Sequence, residues 1–562
     1  MKTIAFHNLG CKVNSYELDV MQQIMREKGY EIVPFDKKAD IYVINTCTVT
    51  NIADRKSRQM LHRAKQKNPE AIVVAVGCYV QTDLEGAKKD PAIDLAIGNN
   101  RKKDIAQILE QYLEEREAAS SDKTLGGTTV IDICHAREYE EITLRSTSEH
   151  TRAYVKVQDG CNQFCTYCAI PLARGRVRSR LTEDVLREVR AMVESGFKEI
   201  VLTGIHVSSY GLDLGRRAPG AGAASDAAGA ASDTAGAASD AAGVASDAAG
   251  VASDAAGATD DRDVNVPHDY RGETRLFDLI EKIHEVPGLE RIRISSLEPR
   301  IVTEETAKRL AALPKVCPHF HLSLQSGCDA TLKRMNRHYT AAQFMESVEA
   351  LRAAYAPRIP AITTDVIVGF PGETEEEFAT TKAFLEKVGF YEMHIFKYSK
   401  RAGTKAAVMP GQVPDQVKSA RSDELLALER EQSVSFRKAY LGRMAEVLFE
   451  EEKQIGEKTY LLGHTMDYVK VALETGKAAA QATKQPIAET GKAAARATKQ
   501  PTAETGKAAA RTGVQAVTKT AAETANQAVE GRRPLAPGDV ARVECTEFLT
   551  EEILLGHETD LF

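Results

Sequence analysis

Short apolar runs alternate with amphipathic, helix-like stretches along most of this chain. Thr3 to Phe6, Asp40 to Ile44 and Ala71 to Val76 each read as a strand followed by a turn and a polar helical pattern. Six further strand candidates follow at Tyr154 to Val157, Glu199 to Thr203, Arg291 to Ser295, His319 to Leu324, Thr363 to Val368 and Met393 to Tyr398. Strands alternating with helices predict a parallel sheet, and six successive βα units predict a partial (βα)6 barrel. Beyond about Arg437 the pattern turns β-rich, with Ala445 to Phe449, Tyr460 to Leu462, Tyr468 to Leu473 and Val540 to Cys545. That predicts a small β-barrel. The expected class is α/β: an N-terminal parallel α/β domain at 1–117, a partial barrel at 147–436 and a small β-barrel at 437–562.

Two segments break the pattern. A heptad of Gly, Ala, Ser and Asp recurs from Gly222 at Gly229, Gly236, Gly243 and Gly250. It offers no large apolar residue, and each Gly costs a helix about 1 kcal/mol, so residues 213–270 are expected to form a disordered insertion. A second repeat begins at Glu474, Glu489 and Glu504, and residues 474–533 are expected to split the terminal barrel. Its Gly-Lys pairs lack the upstream Gly and the following Ser or Thr of a phosphate loop.

With 562 residues, 43% hydrophobic and 27% charged, the chain has room for about three domains outside these repeats. The net charge of −7 requires any nucleic-acid contact to be a local basic patch. No apolar run reaches the roughly 18 residues needed to span a bilayer, so a soluble cytoplasmic protein without a membrane partner is expected. Ten cysteines in so long a chain are too sparse for a disulfide scaffold, which directs attention to their spacing.

Cys161, Cys165 and Cys168 lie within eight residues, directly after the first strand of the six-unit region. Three thiolates can hold three irons of a [4Fe-4S] cluster and leave the fourth open to a small ligand. Zinc is the alternative, but it normally takes four ligands, and no second pair lies nearby. Cys11, Cys47 and Cys78 each sit just past one of the first three strands. The carboxyl ends of parallel strands share one edge, so these three thiols converge on a second site of the same kind. Cys134, Cys317, Cys328 and Cys545 lack such spacing and read as packing or incidental residues.

The Cys161-Asn162-Gln163-Phe164-Cys165-Thr166-Tyr167-Cys168 motif resembles that of radical S-adenosylmethionine (SAM) enzymes. That resemblance implies that the open iron chelates SAM and that Tyr167 packs near its adenine. Further cofactor-binding candidates stand at the strand ends: Thr203-Gly204, Ser295 to Glu298, Gln325, and the Gly369, Gly372 and Glu373 loop. Thr203-Gly204 replaces the usual Gly-Gly-Glu of that family, and Asp365 stands at a position often occupied by Gly. Together the three-Cys N-terminal region, the radical SAM region and a terminal segment resembling the RNA-binding TRAM module resemble the methylthiotransferases. Asn14, Asn45 and Gln81 also match residues around the N-terminal Cys positions of that family, although turn and capping roles would explain them equally.

The resemblance implies two [4Fe-4S] clusters, SAM as both methyl donor and radical source, a reductant protein and a tRNA substrate. A carbon radical removes a hydrogen from an adenine C2 position that no side-chain base could deprotonate. The Thr203 to Gly211 and Asn8 to Ser15 segments look most like the branch acting on N6-threonylcarbamoyladenosine in tRNA. Branches acting on isopentenyladenosine tRNA or a ribosomal protein aspartate, and a non-catalytic metal-containing RNA-binding protein, stay open. Arg174, Arg176, Arg178 and Arg180 alternate after the cluster loop and are the RNA-contact candidates if extended, with ion pairing to barrel carboxylates as the competing role.

Overall fold

The computed structural model describes residues 2–118, 127–145, 151–214, 274–475 and 535–558. Most of both repeat segments lies outside these ranges, but their expected edges need correction. Asp213 Oδ2 accepts a hydrogen bond from Ser179 N at 3.0 Å, and Glu474 and Thr475 belong to a strand. The chain forms two compact units, Met1–Gln432 and Ser433–Phe562, so the first two expected domains pack as one.

The first unit begins with β1 (Thr3–Asn8), α1 (Lys12–Glu27), β2 (Glu31–Val33), β3 (Ile41–Thr46), α2 (Asn51–Lys67), β4 (Ile72–Gly77), α3 (Cys78–Thr82), α4 (Leu84–Lys89), β5 (Leu95–Ile97), α5 (Ile105–Ala118) and β6 (Gly127–Thr129). Its six strands form one parallel sheet in the order β2-β1-β3-β4-β5-β6. Successive side chains alternate faces. Ile41, Val43, Ile72 and Val74 pack toward α1 and α5, whereas Tyr42, Ile44, Val73 and Ala75 pack with Leu61 and Ala64 of α2. Each large aliphatic side chain so buried contributes about 1.5–3 kcal/mol relative to exposure.

The barrel follows as β7 (Arg152–Asp159), α6 (Ile170–Arg174), β8 (Arg178–Ser179), α7 (Thr182–Glu194), β9 (Glu199–Gly204), α8 (Leu276–His284), β10 (Arg291–Ile294), α9 (Glu304–Ala311), β11 (His319–His321), α10 (Asp329–Arg334), α11 (Ala341–Tyr355), β12 (Ala361–Val368), α12 (Glu375–Val388), β13 (Glu392–Lys397) and α13 (Asp415–Lys438). The order β8-β7-β9-β10 continues into β11-β12-β13 through bridges at Ile292–Val316 and Leu297–Leu322. Six parallel strands thus form the expected open barrel, with β8 added antiparallel at one edge. Thr-based capping boxes start α9, α11 and α12 and fix where the chain leaves each loop.

The alternating arginines are not an extended RNA-facing strip. Arg174 ends α6, Gly175 turns the chain with φ +67°, and Arg178 begins β8. Arg174, Arg178 and Arg180 are buried. Arg174 pairs with Glu17 at 2.8 Å and Asp159 at 3.2 Å, Arg178 lies 3.9 Å from Asp159, and Arg180 pairs with Glu188 and with Glu141 at 2.6 Å. Half-buried Arg176 lies over the Phe164 ring at 4.4 Å. Phosphate contact would strip carboxylates of their buried partners, so three of the four expected RNA contacts are instead internal ion pairs.

The second unit is a closed barrel of β14 (Arg443–Ile455), β15 (Lys458–Thr465), β16 (Lys470–Thr475), β17 (Val540–Thr550) and β18 (Ile553–Glu558), ordered β14-β15-β16-β18-β17. Val447, Phe449, Leu461, Val471, Val543 and Cys545 fill its interior. Among the described residues, no helix is long and apolar enough to cross a membrane.

Candidate active site

Both thiol trios stand at the carboxyl ends of parallel strands. Cys11 caps the start of α1, Cys47 follows β3, and Cys78 opens α3 directly after β4. The register pairs Asn8 with Asn45 and Thr46 with Gly77, so the three strand ends are level. Gly10 takes φ +113°, and a Cβ there would lie 3.0 Å from Cys47 Sγ. Only glycine lets the backbone pass that close. Asn14 Nδ2 ties the loops together by donating to Leu9 O at 2.7 Å and Thr46 O at 3.0 Å, while Asn45 Nδ2 donates to Asn14 O at 2.9 Å. Gln81 Nε2 donates to Ile131 O at 2.8 Å, and its Oε1 accepts from Asn99 N at 3.0 Å.

Burial pushes the Cys47 thiol up to about 12, with Cys78 and Cys11 adding to it. Burial also raises Cys11, opposed by the nearby Arg174 guanidinium. Cys11 and Lys12 nevertheless touch open space, although burial and the charges of Arg152 and Arg293 bring Lys12 down to about 8.

The second trio occupies the loop after β7. Burial, then Cys165 and Cys168, raise the Cys161 thiol well above its ordinary value, and burial with Cys165 takes Cys168 to about 12. Such thiols stay protonated on their own and release protons to bound metal. Two sets of three soft donors match the ligand set of [4Fe-4S] clusters with one iron left open. Arg337 Nη1 donates to Cys165 Sγ at 3.3 Å, and Gln163 Nε2 anchors the loop on Glu298 Oε2 at 3.1 Å.

Helix α6 joins the trios. It starts two residues after Cys168, and its Ala173 O accepts from Asn99 Nδ2 at 2.7 Å, while the same amide lies 3.5 Å from Cys78 Sγ. Arg174 Nη2 donates to Asn14 Oδ1 at 2.7 Å beside Cys11. On the other side, Arg401 after β13 binds Thr48 Oγ1 at 2.5 Å and Asp54 at 2.6 Å, clamping the loop that follows Cys47.

The expected cofactor-binding residues divide into two groups. Tyr167 Oη donates to Gln325 Oε1 at 3.1 Å beside the Cys loop, Thr203 and Gly204 end β9, and buried Ser295 follows β10. Glu298 and Glu373 are already engaged. Glu298 accepts from Arg300 Nε at 2.8 Å and lies 3.4 Å from His206 Nε2; burial raises its pKa, but His206 and the arginines outweigh that and bring it to about 2. Glu373 accepts from Gly369 N and Arg421 Nη1, each at 2.7 Å, so it braces the turn that carries Gly369 and Gly372. Sequence reasoning missed Arg337, Asn99 and Arg401. Each comes from a loop remote in sequence from the thiols it serves, with no periodicity or spacing to mark it.

Residues 155–385 match the radical SAM superfamily and residues 3–98 the uncharacterized protein family UPF0004. A threonylcarbamoyladenosine tRNA methylthiotransferase of Bacillus subtilis (strain 168) is 38% identical over 84% of this chain and 91% of its own length. Its namesake in Aquifex aeolicus (strain VF5) is 35% identical over 82% and 95%. A tRNA-2-methylthio-N(6)-dimethylallyladenosine synthase of Carboxydothermus hydrogenoformans is 32% identical over 81% and 89%. The radical SAM match implies SAM and a [4Fe-4S] cluster, for which the Cys161, Cys165 and Cys168 donor set is suited. With both trios in one unit and relatives of this similarity spanning nearly their full lengths, the chain belongs to the radical SAM methylthiotransferase family.

Proposed function

We propose that this protein is a tRNA-modifying enzyme that attaches a methylthio group to C2 of N6-threonylcarbamoyladenosine at position 37. The observation that carries the reading is the linkage of two three-thiol sites through α6. A [4Fe-4S] cluster on Cys161, Cys165 and Cys168 supplies SAM-derived radical chemistry, and a second on Cys11, Cys47 and Cys78 supplies the sulfur to be transferred. The chain's own residues set the geometry. Tyr167 and Gln325 shape the wall beside the Cys loop, Gln163 and Glu298 hold that loop, and Asn14 with Arg174 keeps the early trio turned toward it. Similarity to relatives named for threonylcarbamoyladenosine favours that substrate over dimethylallyladenosine. A reductant protein delivers the electron, and the closed barrel of the second unit is the RNA-binding module.

The test is nucleoside mass spectrometry of tRNA from a strain lacking this gene. Loss of 2-methylthio-N6-threonylcarbamoyladenosine with accumulation of its unthiolated precursor is expected. The wild-type gene should restore the product and a Cys47→Ala gene should not. Loss of a methylthiolated dimethylallyladenosine instead would assign the other branch.

A further inference from the structure

The inner face of the barrel carries a further group of metal-ligand side chains that includes none of the six thiols described above. His321 ends β11, Asp365 lies in β12 and His394 in β13. The register pairs His321 with Thr363 and Asp365 with His394. Residues two apart in a strand share a face, so all three side chains rise from one face of three adjacent strands. The opposite face holds core residues such as Leu322, Ile362, Val366 and Met393.

Ligand atoms from the three residues lie within 4.8 Å of one another. His321 Nδ1 is 3.0 Å from Thr363 Oγ1, a contact that orients the ring and leaves Nε2 for another partner. That Nε2 is buried and lies 3.3 Å from Asp365 Oδ2, yet makes no aligned hydrogen bond. The His394 ring stacks on His321 with centroids 5.8 Å apart and planes at 23°. A ligating histidine whose other ring nitrogen is held by a neighbouring polar group is the usual architecture of a metal site.

We propose that His321, Asp365 and His394 form a binding site for a divalent transition-metal cation, with zinc as the preferred ion. Two imidazoles and one carboxylate supply three of four tetrahedral positions, and the fourth opens into the barrel for water or a carboxylate oxygen. At a given nitrogen and oxygen site zinc binds more tightly than ferrous iron, which selects it over the iron used to load the thiol sites. Asp365 lies three residues before the end of β12 at Val368, so it sits about 10 Å below that strand end. Lys12 is the competing cation, because its charge and that of Asp365 already attract each other.

The test uses full-length holoprotein, reconstituted anaerobically so that both thiol trios are loaded, and titrated with zinc chloride. Bound zinc is measured after gel filtration, and its ligands by zinc K-edge X-ray absorption. About one zinc per chain is expected, with only nitrogen and oxygen neighbours at about 2.0–2.2 Å. His394→Ala and Asp365→Asn should each weaken binding about tenfold or more. Lys12→Met should tighten it by about threefold, since it removes a neighbouring positive charge. Zinc below about 0.1 per chain, sulfur neighbours at about 2.3 Å, or wild-type affinity in both ligand variants would overturn the proposal. Should the ligand variants lose cluster absorbance through misfolding, the Lys12→Met titration and the absorption spectrum of the wild type decide alone.

Discussion

Arg337 shows how much one side chain outside any motif controls. Its half-buried guanidinium faces Cys165, Tyr167, Tyr339 and Glu298, and it donates to Cys165 Sγ. A positive charge and a hydrogen bond at a ligating sulfur favour the reduced cluster. Arg337→Gln should lower the midpoint potential of the Cys161, Cys165 and Cys168 cluster by about 60 mV, roughly a tenfold change for one electron, read by redox titration monitored by electron paramagnetic resonance. Glu298 offers a second test. Its pKa of about 2 lies below the ordinary carboxylate value, so its contribution is complete above about pH 4.5 and fades as the pH falls toward 2. That contribution amounts to roughly 3 kcal/mol. Denaturant unfolding of cluster-free protein between pH 6 and 3 should therefore be more pH-dependent in the wild type than in Glu298→Gln. The thiols were legible at this scale because metal chemistry demands cysteine. Arg337 was not, because an arginine on a turn after α10 is identical in sequence to any solvated one.

Helix α1 is pinned by charge as well as by apolar packing. Glu17 is buried against Lys102, Lys156 and Arg174, the latter two at 2.7 and 2.8 Å, which ties α1 to the barrel strand β7 and to α6. Glu17→Ala removes the carboxylate shared by three buried cations, leaving Asp159 beside Lys156 and Arg174, and should cost about 3–5 kcal/mol in denaturant unfolding. All nine α/β strands expected from apolar runs are present, and β3, β4, β7, β9, β10 and β12 each bury four or more consecutive residues. β2, β5 and β6, at three residues each, are too short for a periodic signal, and they lengthen the first sheet to six strands. The alternating arginines misled for a related reason. Spacing of two implies one face only in an extended chain, and here a helix, a left-handed glycine and a two-residue strand intervene.

At the scale of the molecule, all six cysteines of the two trios fall in the first compact unit and the closed barrel forms the second. A chain ending at Lys438 should retain close to full iron and sulfide while losing about tenfold or more of its tRNA affinity, measured by filter binding at fixed salt. The architecture was readable because βα alternation and β-rich patterning are properties of long segments. The fusion of the first two expected domains was not, since it rests on Glu17, Arg174, Asn99 and Arg401, whose partners lie scores to hundreds of residues away.

The five residues of α6 act as a spacer of fixed length. One extra residue between Cys168 and Ile170 would turn the helix by about 100° and aim Arg174 away from Asn14, even though no thiol had changed. Tolerance to added length should therefore be opposite in two places: dozens of residues are accommodated between Leu214 and Thr274, whereas a single insertion here should leave both thiol sites loaded but uncoupled.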